Sequence, residues 1–221
     1  VFNMLSGYSE PANWNQLIVA PIWMKKRFLE MIHRETKNAK EGKPAKIIAK
    51  CNSLCDRKII LALYEASCAG VQVDLIVRGI CCLVAGKPGV SENIRVRSIV
   101  GTFLEHARIF YFYNDGHEEI YMGSADWMPR NLDRRVEIVF PVEEEELKEK
   151  AKHILDVQLS DTLKAHRLLE DGTYQKVDRR GKEAIEAQKT FCEEAIAAAN
   201  ESKKKVPKKR TFDPRFSPQE E

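Results

Sequence analysis

Leu17-Ile18-Val19-Ala20 is a short apolar run closed by Pro21, the pattern of a buried strand. Residues 22 to 41 then set Met24, Phe28, Met31 and Ile32 among Lys and Glu at helical spacing, and Gly42 and Pro44 end the helix this predicts. Lys46 to Lys50 reads as a strand, Asp56 to Ala69 as a helix with Asp56 as N-cap and Gly70 as C-cap, and Val71 to Val77 as a further strand. A β-α-β unit with a crossover of this length predicts parallel neighbouring strands with helices packed over the sheet. Beyond a loop punctuated by Gly86, Pro88 and Gly89, three runs rich in aromatic and branched residues read as strands: Arg108 to Tyr113, Glu119 to Gly123 and Val136 to Val142. Asn114-Asp115-Gly116 supplies turn chemistry between the first two, which predicts an antiparallel hairpin. From Glu143 the pattern is helical through about Leu169, Thr173 to Val177 is strand-like, and Lys182 to Asn200 is helical and rich in Ala and Glu. The predicted fold class is α/β, a mixed sheet flanked by helices, with extra C-terminal helices.

Composition refines this picture in two places. Of 221 residues, 43% are apolar, enough for a full core in one large domain or two small ones. Lys and Arg number 36 against 33 Asp and Glu, and the whole excess of +3 lies in residues 201 to 221, where seven basic residues meet four acidic ones. That segment, with Lys203-Lys204-Lys205 and scattered prolines, is expected to be a disordered basic tail on a domain spanning residues 1 to 200. A globally basic nucleic-acid binder is therefore not indicated, and an anion site in the body must come from local clustering of cations. Six cysteines without a leader sequence fit a reduced cytosol better than a disulfide framework. Cys51 and Cys55 have a spacing a zinc site can use, but no second pair or suitably spaced His follows, so core thiols are expected. No apolar run reaches membrane-spanning length. The start at Val1-Phe2-Asn3 reads as a cut from a longer protein.

The chemistry concentrates between Arg78 and Trp127. His106 and Arg108 lie two apart at a strand entry, so both side chains can face one way. A histidine beside a fixed cation suits phosphoryl chemistry: imidazole serves as nucleophile or general acid while guanidinium neutralises the transferring group. Against this stands the plain alternative of a surface or core histidine. Two features favour the chemical reading. Seven arginines and a single lysine, Lys87, lie between Arg78 and Arg135, and arginine's planar fork binds phosphate bidentately. Arg78 also follows a predicted sheet strand directly, at the carboxyl end where open α/β sheets take ligands. Some of these arginines are expected to pair with Glu105, Asp126, Asp133 and Glu137, Arg134 most readily. Gly123-Ser124 at a strand end would let backbone and hydroxyl donors approach phosphate oxygens, making Ser124 a further candidate. The other histidines, His33 and His153 in helices, His117 in a turn and His166 on a charged helical stretch, are expected to be solvated or structural.

H-x-R at His106 to Arg108, then G-S-A-D-W at Gly123 to Trp127, resembles a degenerate phospholipase D superfamily signature, H-x-K followed by G-S-x-N. A fuller set of strings occurs in order: S-G-Y-S-E-P at Ser6 to Pro11, L-I-V-A-P at Leu17 to Pro21, V-D-L-I-V-R-G-I-C at Val73 to Cys81, F-L-E-H at Phe103 to His106, and Y-M-G-S-A-D-W-M-P-R-N-L-D-R-R-V-E at Tyr121 to Glu137. Together they resemble the carboxyl-terminal domain of polyphosphate kinase up to about Asn200, with residues 1 to 12 as a remnant of a preceding domain or linker.

The resemblance implies a phospholipase D-like half that works opposite a second such half in a preceding domain of the same protein. It implies reversible transfer of the terminal phosphate of ATP to inorganic polyphosphate, with magnesium and a phosphohistidine intermediate supplied mainly by that preceding domain, and no metal ligand in this chain. Arg78 and His106 are expected at the nucleotide phosphates, His106 as second active-site histidine and proton donor or stabiliser. Arg130 and Arg135 match tunnel-lining basic positions, while Arg108 and Ser124 are physical candidates for phosphate contact. ATP or ADP, polyphosphate and further copies of the full-length protein are the implied partners, in the cytoplasm, with peripheral membrane association through the tail left open. This chain by itself is expected to be inactive. Two alternatives remain: a phosphodiesterase formed by a homodimer that brings two His106 residues together, against which Arg108 and Asp126 depart from the signature, and a non-catalytic polyanion-binding module using Lys203 to Arg210.

Overall fold

The structure, a computed structural model, describes residues 2–8, 14 and 16–205. The Ser9 to Pro11 part of the first motif and tail residues 206 to 221 lie outside the described residues. Among the described residues nine strands form a single sheet in the order β1-β7-β6-β5-β2-β3-β4-β8-β9. They are β1 (Ile18–Val19), β2 (Lys46–Cys51), β3 (Gln72–Val77), β4 (Ile94–Ile99), β5 (Ile109–Phe112), β6 (Glu119–Gly123), β7 (Ile138–Pro141), β8 (Ala165–Leu168) and β9 (Tyr174–Lys176). The helices are α1 (Phe2–Leu5), α2 (Met24–Lys40), α3 (Arg57–Cys68), α4 (Pro129–Asp133), α5 (Glu145–Ser160) and α6 (Ala187–Lys205). Pairing is parallel for β2 with β3 and β3 with β4, and antiparallel elsewhere, so the sheet is mixed.

The β-α-β unit forms as its capping chemistry predicts. Asp56 caps α3, its Oδ1 accepting from the amides of Lys58 at 3.0 Å and Ile59 at 3.1 Å, and Gly70 beyond the helix adopts φ +98°, which a side chain would oppose. Side chains alternate along the strands, which gives two cores. Ile47, Ala49, Val73, Leu75, Phe110 and Phe112 pack under α2 and α3, whereas Ile48, Ile76, Ile109 and Tyr111 meet Ala151 and Leu155 of α5. Helices thus cover both faces of the central strands.

The pattern departs from the structure at three places. β4 is not among the predicted strands: Arg95 and Arg97 alternate with Ile94 and Val96, and only pairing with β3 gives those arginines a face. The helix expected through Leu169 ends at Ser160, because Asp161 draws the amides of Lys164, Ala165 and Ala187 onto its carboxylate at 2.7 to 2.9 Å and turns the chain back. Ala165 to Leu168 then pairs with β4, so His166 stands on a strand opposite Ser98 and not on a helix. The last helix begins at Ala187, not Lys182, since Thr162 and Leu163 hold the Ile185 carbonyl, and it continues past Asn200 to Lys205.

Cys51 is buried in the first core, where burial and the nearby Asp126 charge push its thiol up. Cys55 is half-buried, its thiol pushed up to about 12 by burial and by hydrogen bonding with Cys82. Among the described residues no three His, Cys, Asp or Glu side chains gather to hold a metal ion, and no helix is long and apolar enough to cross a membrane.

Candidate functional site

Parallel strands β2 and β3 end in register, Cys51 beside Val77, so Asn52 and Arg78 leave the sheet together at its carboxyl edge. The Gly79 amide donates to the Asn52 carbonyl at 2.7 Å, and a Cβ on Gly79 would stand 2.8 Å from that oxygen, an approach that requires glycine. A third segment closes on these two. Trp127, fully buried, stacks on Phe110 with centroids 5.1 Å apart and meets Phe28 edge-on at 5.6 Å. Its carbonyl accepts from the amides of Cys55 and Asp56, both at 2.9 Å. This aromatic anchor fixes its neighbour Asp126 beneath the two strand ends.

Asp126 organises the site. Its Oδ1 accepts from the Asn52 backbone amide at 2.7 Å and from Asn52 Nδ2 at 3.2 Å. Asn52 Oδ1 in turn accepts from Arg78 Nε at 3.2 Å. On its other side the carboxylate receives both arms of Arg108, Nε to Oδ1 and Nη2 to Oδ2, each at 3.1 Å. Arg108 Nη1 reaches the His106 carbonyl at 3.0 Å and His106 Nδ1 at 3.2 Å. Arg78, Asn52, Asp126, Arg108 and His106 therefore form one continuous hydrogen-bonded chain. Its interior members, Asn52 and Asp126, are buried, and its outer end, His106, is exposed.

The chain settles the ring chemistry of His106. Guanidinium has no acceptor, so the 3.2 Å contact makes Nδ1 the acceptor and places the neutral ring's proton on Nε2. His106 lines an open groove of about 760 Å³ together with the candidates Arg108 and Ser124 and the apolar Met122, Ile138 and Phe140. A second buried pair backs the strand entry: Lys50 Nζ lies 2.9 Å from Glu105, which also accepts from Gln158 at 2.8 Å and Gln188 at 2.9 Å. Burial raises the Glu105 carboxyl, but the hydrogen bond from Gln188 and the Lys50 cation outweigh it and hold the group below the usual carboxylate range.

The candidates separate by role. Arg78 and His106 stand at the two ends of the chain, and Arg108 uses four of its five N–H donors on Asp126 and His106, which makes it a positioning residue. Ser124 Oγ donates to Glu137 and accepts from the Ile138 amide at 3.2 Å, while Asn131 Nδ2 holds the other Glu137 oxygen at 2.6 Å. The hydroxyl thus braces the β6 to β7 connection. Ser124→Ala should lower unfolding stability by about 1–3 kcal/mol, because a buried carboxylate loses a donor, and leave phosphate affinity within about twofold. Denaturant unfolding and phosphate titration of the same variant check both halves of that expectation. Arg130 and Arg135 stand exposed at the two ends of the α4 turn, joined by an Arg135 amide to Arg130 carbonyl bond of 2.9 Å. The pairing expected for Arg134 does not form: Asp126 goes to Arg108, Glu105 to Lys50, Asp133 to Lys25 and Glu137 to Ser124 and Asn131. Asn52 was not a sequence candidate. Its signal was the one that picked out Arg78, a polar residue just past a parallel strand, applied one strand earlier.

Among the described residues the site offers no oxygen set for a divalent cation, because Glu105, Asp126 and Glu137 are already held by cations, amides and the Ser124 hydroxyl. The fold and this site define an α/β domain with fixed cations and a donor histidine at the carboxyl ends of parallel strands. More narrowly, the chain belongs to the polyphosphate kinase C-terminal domain 2 family, whose model matches residues 17–188. It is 52% identical over 202 residues to a polyphosphate kinase of Synechocystis, covering 91% of this chain and 28% of that protein. It is 53% identical over 181 residues to one of Pseudomonas aeruginosa, covering 82% and 26%. The crystal structure of polyphosphate kinase from Porphyromonas gingivalis superposes with a TM-score of 0.85 at 39% identity, over 90% of this chain and 31% of that one. The chain therefore spans less than a third of each of these relatives.

Proposed function

We propose that this chain is the part of a polyphosphate kinase that binds the phosphates of ATP and guides the polyphosphate chain during reversible transfer of the terminal phosphate. The phosphorylated histidine and the magnesium-holding groups belong, on this reading, to residues outside these 221. The observation that carries it is the hydrogen-bonded chain from Arg78 to His106. It holds a permanent cation and an Nε2–H at the carboxyl edge of the sheet, so charge neutralisation and hydrogen-bond donation are prepared before a phosphoryl group arrives. Arg130 and Arg135 extend the positive surface along which a linear polyanion would run. The full-length protein acts in the cytoplasm as a homo-oligomer.

Calorimetric titration of the chain with short polyphosphate, repeated with saturating ATP and with Arg78→Ala/His106→Ala, tests this reading. The expected result is a binding component that ATP removes and the double variant lacks. The isolated chain should form no ATP from polyphosphate and ADP. An ATP-sensitive component that survives the double substitution, or robust ATP formation by the isolated chain, would overturn the assignment.

A further inference from the structure

A second concentration of positive charge lies on the edge of the sheet formed by β4, β8 and β9. Arg95 and Arg97 of β4, Arg167 of β8 and Lys182 beyond β9 line a cavity of about 280 Å³, with Gln175 and Asp178 as its other polar walls. Arg97 and Arg167 are direct cross-strand partners, and Arg167 is in turn opposite Gln175. Like charges in that relation destabilise a sheet unless something lies between them.

The nearby carboxylates are engaged elsewhere. Arg95 takes both oxygens of Asp74, at 2.8 and 3.2 Å. Asp161 is spent on three backbone amides, and Asp178 is held by Arg180 at 2.7 Å. Among the described residues, the polar contact of the Arg97 side chain is a 3.3 Å bond to the Gln158 carbonyl, and no carboxylate lies within ion-pair distance of Arg97, Arg167 or Lys182. Burial above all lowers the Arg97 guanidinium from its ordinary value; the charges of Asp74 and Asp161 act against this, and those of Arg95 and Arg167 add to it less strongly.

We propose that this cavity is a second oxyanion site, which holds inorganic phosphate or the end of an inorganic polyphosphate chain between the forks of Arg97 and Arg167. Paired guanidinium groups match phosphate oxygens bidentately. The cavity is smaller than the usual 300–1,000 Å³ of sites that enclose a drug-sized ligand, which suits a phosphate group and not a whole nucleotide. In the strand order β4 stands three strands from β5, so this edge is distinct from the groove at His106. The polyphosphate source rests on the functional reading above, whereas the oxyanion chemistry does not.

The test is calorimetric titration of the 221-residue chain with inorganic phosphate, tripolyphosphate and ADP at constant ionic strength. Wild type is compared with Arg97→Gln/Arg167→Gln and with Arg78→Ala/His106→Ala. Tripolyphosphate should still bind Arg78→Ala/His106→Ala at one site, and that site should weaken about tenfold or more in Arg97→Gln/Arg167→Gln. Phosphate should raise the thermal midpoint of wild type but not of the latter variant, whose midpoint without anion should equal or exceed that of wild type. Arg167→Gln alone, at an exposed position, should lose binding several-fold and guards against misfolding of the double variant. A folded Arg97→Gln/Arg167→Gln protein that binds tripolyphosphate like wild type would overturn the site, as would its absence from Arg78→Ala/His106→Ala. ADP binding there as tightly as tripolyphosphate would overturn the polyphosphate assignment in favour of nucleotide phosphates. Failure of the main functional reading shows differently, as ATP competition unaffected by Arg78→Ala/His106→Ala.

Discussion

Arg78→Ala in the full-length protein should slow phosphoryl transfer by about a hundredfold or more, the size of loss seen when a fixed cation or oxyanion donor is removed from such a site. Loose phosphoryl transfer asks little covalent work of the protein and much positioning, so a guanidinium whose Nε is already tied to Asn52 Oδ1 at 3.2 Å acts without reorganising. Arg78→Lys should recover part of the charge effect but not the tether, because ammonium cannot both donate to Asn52 and present a planar fork. Single-turnover rates of both variants, with nucleotide affinity measured separately, distinguish transition-state loss from simple loss of binding. An Arg78→Ala rate near wild type would remove Arg78 from the mechanism.

Asp126→Ala should cost about 3–5 kcal/mol of unfolding stability, as expected when one partner of a buried ion pair is removed. The side chains of Asp126 and Arg108 are only 6% and 13% exposed, so the guanidinium left behind has no water to replace its carboxylate. The Asn52 amides lose their acceptor in the same step. Asp126→Ala/Arg108→Met should recover most of that stability, since the orphaned charge is gone, but not the orientation of His106. Denaturant unfolding of wild type, Asp126→Ala, Arg108→Met and the double variant forms the cycle. Nitrogen NMR of the His106 ring supplies a readout that a purely structural role would not move: with Arg108 displaced, the proton should no longer be confined to Nε2. A stability change under about 0.5 kcal/mol in Asp126→Ala would mean that the chain from Arg78 to His106 is not held through this carboxylate.

Much of the central fold was legible because its signals are local. Asp56 and Gly70 bracket a helix by capping chemistry, and Asn114-Asp115-Gly116 closes a hairpin whose two strands do pair, Phe110 opposite Tyr121. The placement of His106 and Arg108 at a strand entry and of Arg78 just past a strand was legible in the same way, since these are short-range arrangements. Partnership was not legible. Arg134 was expected to find a carboxylate and stays exposed, the Ser124 hydroxyl is engaged by Glu137 in a bond that no local pattern foretold, and Asn52 was passed over although it links the two halves of the site.

By itself, then, the sequence determined the periodic elements, their caps and turns, and which residue types gather near the strand ends, because each of these depends on neighbours within a few positions. The tertiary structure alone decided that β4 and β8 extend the sheet and that Asp161 ends α5. It also decided that Arg97 meets Arg167 and that Asp126 joins Arg108 to Asn52. These outcomes depend on which buried charge finds which donor across tens of residues, a choice made by desolvation and register and written in no local pattern.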